Sequence, residues 1–291
     1  MTKLSTSLIL VWALAVSLGC GIVELAAQTA TGTFERTLTV SGGPVDLSVR
    51  TGSGDITIRT GGDNAVRIIG RIRANERSGD GPAADRVREI EKNPPIEQNG
   101  PTIRIGDQRN DDLYRSVSIS YEITVPANSQ IHSQTGSGSQ NIGSVRGSVT
   151  AQAGSGSIQI GETGGDVHVQ AGSGSITVER AAGSLDAQAG SGSIRVRSVG
   201  GSVRAQAGSG AIEMTQTAKA DADLRTGSGS VTLTVPRDAA FDFSARTGSG
   251  SIQLQHPTTS LNQSRHQLNA TVRGGGSKIN ITTGSGAITV R

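Results

Sequence analysis

AGSGSIQIGETGGDVHVQ (residues 153–170), AGSGSITVERAAGSLDAQ (171–188) and AGSGSIRV (189–196) follow one another without a gap and superimpose at a step of 18. Gly-Ser-Gly itself occurs nine times, starting at Gly52, Gly136, Gly154, Gly172, Gly190, Gly208, Gly227, Gly248 and Gly284. From Gly136 to Gly208 every step is 18; the next two are 19 and 21, and the last is 36, twice the period. A fixed period of this length marks a repeat architecture. Any site on such a scaffold must lie on its outer face, its inserts or its ends.

Each step carries two apolar pairs. Ile158 and Ile160 follow one Gly-Ser-Gly, and Val167 and Val169 come nine residues later. Ile176/Val178, Leu185/Ala187, Ile194/Val196, Val203/Ala205 and Ile212/Met214 continue the series. Spacing of two within a pair puts both side chains on one face of a β-strand. The Gly, Ser, Thr, Gln and charged residues between pairs suit turns and solvent-facing positions. A strand of about five residues and a turn of about four fill each nine-residue half. The expectation is an all-β, two-sheeted parallel β-solenoid of about 18 residues per coil. A hairpin meander would also give strand-turn-strand repeats, but identical residues once per 18 favour stacking like on like. Glycines such as Gly154 and Gly156 are expected to supply positive φ at sharp corners. Gln152, Gln170, Gln188 and Gln206 share one phase and would stack as an amide ladder.

Composition agrees with a narrow core. Aromatics make up 2% of the 291 residues and there are 41 glycines, so a globular core of bulky side chains is not on offer. Gly this frequent without pattern would read as disorder; here Ile, Val and Leu alternate inside the Gly frame. The formal charge is +3, from 27 basic and 24 acidic residues. No basic run with interleaved aromatics accompanies it, so nucleic acid is not an expected partner.

Residues 1–27 read as a signal peptide: Lys3, the apolar run Leu8 to Val16, and small residues Ala26 and Ala27 before Gln28. The apolar stretch Leu8 to Val23 is short for a membrane span and is broken by Ser17, Gly19, Cys20 and Gly21. Cys20 is the sole cysteine, so an intrachain disulfide is excluded. Ser17-Leu18-Gly19-Cys20 loosely resembles a lipoprotein box. On that reading the signal ends before Cys20, and Cys20 is the candidate for lipidation.

Residues 33–130 are less repetitive and are expected to form a β-rich N-terminal capping region on the first coil. Pro82 to Lys92 is its one helix, started by Pro82 and stopped by Asn93-Pro94-Pro95. The Gly-Ser-Gly solenoid is expected over 131–291. It loosens at Phe241 and Phe243, at a polar insertion His256 to Arg265, and at Gly274-Gly275-Gly276. Ile279/Ile281 and Ile288/Val290 form the last coil in sequence. Its final strand is expected to be an exposed edge open to self-association.

No catalytic, cofactor-binding or metal-ligating set emerges. His132, His168, His256 and His266 lack close metal spacing. Calcium-binding β-rolls need carboxylates at each turn, whereas the equivalent positions here are Ser157, Ser175, Ser193, Ala211, Ser230, Ser251 and Ala287. Asp55 and Asp166 are the exceptions. A carbohydrate-cleaving β-helix would need clustered carboxylates; Glu162, Glu179, Asp186 and Glu213 fall in different phases.

Tyr121-Glu122-Ile123-Thr124-Val125-Pro126, then Thr135-Gly136-Ser137-Gly138, and the terminal stretch Ile279 to Ile288 (INITTGSGAI) together resemble the bacterial putative-adhesin family, a β-strand-repeat domain of unknown function. The resemblance spans about Thr33 to Arg291. Members more often carry Asp after Gly-Ser-Gly, as Asp55 does; this chain mostly has Ser. The family implies a secreted or envelope-associated β-solenoid and offers no catalytic residues to carry over. The expected function is therefore non-enzymatic binding or surface display by an exported protein of the periplasm, envelope or exterior, with no cofactor. Its partner would be an envelope protein, glycan or surface, and membrane contact would come only through the signal or a lipid anchor. A self-assembling structural or envelope-stress component is the second expectation, and a carbohydrate-active enzyme the third.

Overall fold

The computed structural model describes residues 29–40, 43–62, 64–76, 81–106 and 112–291. The signal segment and Cys20 lie outside these residues. In chain order the first elements are β1 (Thr29–Thr39), β2 (Val45–Ser53), β3 (Ile56–Thr60), β4 (Ala65–Asn75), α1 (Ala83–Lys92), β5 (Ile96–Asn99), β6 (Thr102–Ile105) and β7 (Val117–Val125). The regular run is β8 (Ser129–Ser137), β9 (Gln140–Ile142), β10 (Val149–Ala153), β11 (Ile158–Thr163), β12 (Val167–Ala171), β13 (Ile176–Ala181), β14 (Leu185–Ala189), β15 (Ile194–Val199), β16 (Val203–Ala207) and β17 (Ile212–Gln216). The remainder is β18 (Ala222–Ser228), β19 (Val231–Thr234), β20 (Phe241–Ser249), β21 (Ile252–Leu254), β22 (Thr258–Gln263), β23 (Gln267–Val272), β24 (Ser277–Ser285) and β25 (Ile288–Val290).

The strands form two sheets, and from β7 to β21 the chain alternates between them. One sheet, here called A, has the order β1-β4-β7-β3-β9-β11-β13-β15-β17-β19-β25-β21. The other, B, has the order β22-β23-β20-β24-β18-β16-β14-β12-β10-β8-β2-β6-β5. Through the centre every pairing is parallel and in register by one lap: Ile158 with Ile176, Ile176 with Ile194, and Ile194 with Ile212. Leu185 likewise lies between Val167 and Val203. The two-sheeted parallel solenoid expected from the period is the fold observed. All of these column residues are buried, and each removes an aliphatic side chain from water at about 1.5–3 kcal/mol.

The glycine corners are tighter than the sequence suggests. Neither Gly154 nor Gly156 has a positive φ. A Cβ at Gly156 would instead run into the carbonyl of Gly138, and one at Gly174 into that of Gly156. Lack of room between stacked laps, rather than backbone handedness, is what demands glycine there.

The order of laps in space differs from their order in sequence at both ends. Val45–Thr60, within the stretch expected to be a cap, forms a lap in register with the next: Leu47 pairs with Ile131 and Ile58 with Ile142. Strands β6 and β7 form a further lap outside it, although they follow it in sequence. The cap proper is β1 and β4, antiparallel on β7, with β5 antiparallel on β6. Helix α1 lays its buried Ala83, Val87 and Ile90 against this end. Glu91 Oε1 accepts the Thr33 N–H at 2.7 Å, so the helix also occupies a donor on the edge strand.

At the other end the final lap is an internal one. Strand β24 lies between β18 and β20, and β25 between β19 and β21. The expected exposed edge at β25 is thus corrected: chain order placed it last, but the returning chain inserts it between two laps. The true edges here are β21 in sheet A and β22 in sheet B. The polar insertion contributes β22, antiparallel to β23.

Candidate functional groove

Along the outer face of sheet B, outward positions alternate with inward ones, so each central strand presents a Gln and then a Gly. Gln134, Gln152, Gln170, Gln188 and Gln206 stand in one register column. Two residues on, Gly136, Gly154, Gly172, Gly190 and Gly208 have no side chain to present. A wall of amides beside a floor of bare backbone makes an open groove of about 1110 Å³ running along the stack. It continues over Thr51 and Gly52 at one end and Thr226 and Gly227 at the other, with Arg50 and Arg225 beside it. Arg225 is held by Asp223, with Nε and Nη2 donating to Oδ1 and Oδ2 at 3.0 and 2.8 Å.

The Gln column stacks as expected, but among the described residues no hydrogen bond joins one ladder amide to the next. Gln170 Nε2 reaches His168 Nε2 at 3.0 Å. The other ring nitrogen of His168, Nδ1, lies 3.5 Å from Asp186 Oδ2. Gln188 Nε2 donates to Asp186 Oδ1 at 3.5 Å. Gln170 and Gln188 are thus held along their own strands, each by the residue two positions earlier, and all five glutamines line the groove. The sequence shows the column; the missing signal was the outward Gly two residues later, which opens space beside it.

A second groove of about 730 Å³ lies nearer the opposite corner of sheet B and is lined by His168, Asp186, Arg204, Asp223 and Lys278 among others. Within its column Asp186, Arg204 and Asp223 on successive laps alternate in sign. His132 joins the same column, with Nε2 3.7 Å from Asp46 Oδ1.

The two turn carboxylates that break the Ser/Ala pattern bind backbone. Asp55 Oδ1 accepts the Ser139 N–H at 2.8 Å, and Asp166 Oδ1 accepts the Ser184 N–H at 2.7 Å. Each pins its corner to the next lap. Glu179 and Glu213, on sheet A, pair with Arg197 and Arg195 at 2.6 and 3.2 Å. Asp186 lies on sheet B, so the structure does not gather the scattered carboxylates. His256 packs edge-on against Phe241 at 5.5 Å, and among the described residues no group of three or more His, Cys, Asp or Glu could hold a metal ion.

Stacked Gly-Ser-Gly laps with an α-helical cap frame this groove, and the family model described as Toastrack DUF4097 matches residues 22–291. The chain belongs to the Toastrack DUF4097 family. Among curated proteins, none matches it. Several solved structures are similar to this Toastrack chain. One is a putative adhesin from Bacteroides fragilis, 14% identical, covering 89% of this chain and 97% of its own with a TM-score of 0.44. A putative cell adhesion protein from Clostridium sporogenes is 12% identical over 89% and 99%, with a TM-score of 0.28. A putative lipid binding protein from Parabacteroides distasonis is 16% identical over 89% and 96%, with a TM-score of 0.35. At that similarity the names say nothing about what this Toastrack chain binds.

Proposed function

We propose that this protein is an exported, non-enzymatic binding scaffold of the cell envelope, and that the glutamine groove holds an extended polar polymer of the cell surface, a glycan first of all. The groove carries the reading. It offers amide donors and acceptors once per lap, about 4.8 Å apart, along a straight open channel. A folded small molecule would use only one or two of these rungs. An extended chain would engage many weak contacts in series, and such contacts reinforce one another. Export rests on the apolar leader around Leu8 to Val16, with Cys20 as the lipidation candidate.

The test is co-sedimentation with purified peptidoglycan and with cell-surface polysaccharide. The wild-type protein is expected to pellet with one of them. A Gln152→Leu/Gln170→Leu/Gln188→Leu variant, which keeps side-chain bulk but removes the amides, should bind at least about tenfold more weakly. Equal retention of the two proteins, or no retention of either, would overturn the reading.

A further inference from the structure

The two ends of the stack are built differently. At the α1 end sheet A overhangs, and α1 covers β1 and β4. At the other end sheet B overhangs by two strands, β23 and β22, while sheet A stops at β21. Among the described residues no helix covers this shelf. Phe243 pairs with Ala270, and Ala270 with Leu261. Directly opposed residues share a face, so Leu261 lies on the core side of the sheet. There it is 55% exposed, the one exposed large hydrophobic side chain among the described residues.

Charge also separates the ends. Between Arg246 and Arg273 the sole Lys, Arg, Asp or Glu is Arg265. The α1 end carries Glu35, Arg36, Arg67, Arg71, Asp85, Arg88 and Glu91. Burying charged groups in a contact costs their hydration, and the shelf end has almost none to bury.

We propose that the shelf binds a second copy of this chain, tail to tail. The axis lies between the sheets, parallel to the strands. It swaps the sheets, so the two overhanging strands of each copy fill the two positions missing from sheet A of the other. Strand β22 runs with β20 and therefore against β21. The axis keeps strand direction, so β22 of the second copy lies antiparallel to β21 and closes both free edges. Leu261 of each copy then packs beneath the shelf of the other. Residues 252–272 make up this end, at the lower bound of the roughly 20–30 residues a side in a standard interface, so the dimer is concentration-dependent. This proposal is independent of the ligand in the groove.

Sedimentation of the full chain over a concentration series tests it. A monomer–dimer equilibrium is expected. Leu261→Asp changes an exposed residue and leaves the fold intact by circular dichroism, but should weaken the dimer at least roughly tenfold by placing an unpaired carboxylate in the seam. Thr37→Asp, on exposed β1 at the capped end, should leave it unchanged. A monomer at the highest soluble concentration, a dimer indifferent to Leu261→Asp, or a dimer lost with Thr37→Asp would each overturn the proposal.

Discussion

Threonine at 51, 135, 226, 247 and 283 and alanine at 153, 171, 189 and 207 fill one inward column beside the glycine corners. The hydroxyls of Thr135, Thr226, Thr247 and Thr283 donate to carbonyls of Gly54, Gly210, Gly286 and Gly229 at 2.8–3.1 Å. The four Ala laps lack this bond at the corner. Glycine is then kept for space. A Cβ at Gly172 would meet the Gly154 carbonyl, whereas one at Gly52, the same corner position in the lap Val45–Thr60, meets nothing within 4 Å. Neither residue has a positive φ, so the two substitutions differ in packing rather than in strain. Gly172→Ala is expected to cost about 1–3 kcal/mol from overpacking against backbone that cannot rotate away. Gly52→Ala should stay within about 1 kcal/mol of wild type, because it also restricts the unfolded chain. Urea unfolding midpoints decide this; equal midpoints would remove the stacking reason for glycine.

At the scale of the element, the unit is the lap, and it was legible because Ile158, Ile176 and Ile194 recur at one fixed step and fall on one face. What the residues could not state was which laps touch at the ends. Ile252 and Ile288 both follow a Gly-Ser-Gly, both pair in sheet A, and either would pack on Val231; only the path of the chain through β22 and β23 puts Ile288 there. The same ambiguity hid Ile56, which follows an isolated triplet and yet pairs beside Gln140. The groove was half legible, since the glutamines were visible in sequence but their bonds to His168 and Asp186 depend on strand geometry. Because central laps meet in identical register, removing one whole lap should leave the stack intact. Deletion of 172–189 joins Ala171 to Gly190 and restores the same neighbours, so it should fold cooperatively with a β-type circular dichroism spectrum and reduced stability. Deletion of 172–180 would send sheet A residues into sheet B and should not fold. A folded half-lap deletion would contradict the lap as the unit.

For the whole molecule, the interleaving of laps decouples position in sequence from stability. Chain ends ordinarily fray and exchange their amides quickly. Here the C-terminal strands are interior: β24 and β25 each hydrogen-bond on both sides, and Ile279, Ile281, Ile288 and Val290 are buried. Strand β22, almost thirty residues before the C-terminus, is paired on one side only and every residue in it is exposed. Native-state hydrogen exchange in dilute solution, where the monomer dominates, should therefore invert the usual gradient. Amides of 279–290 are expected to be protected to the level of the central laps at 176–196, and those of 258–263 to exchange orders of magnitude faster. The physical reason is that opening β24 or β25 separates two laps and exposes aliphatic columns on both sides, so it approaches global unfolding, while opening β22 exposes only Leu261 further. Fast exchange across 279–290 would mean that the last lap sits at an edge after all, and the order of laps described for this end would have to be abandoned.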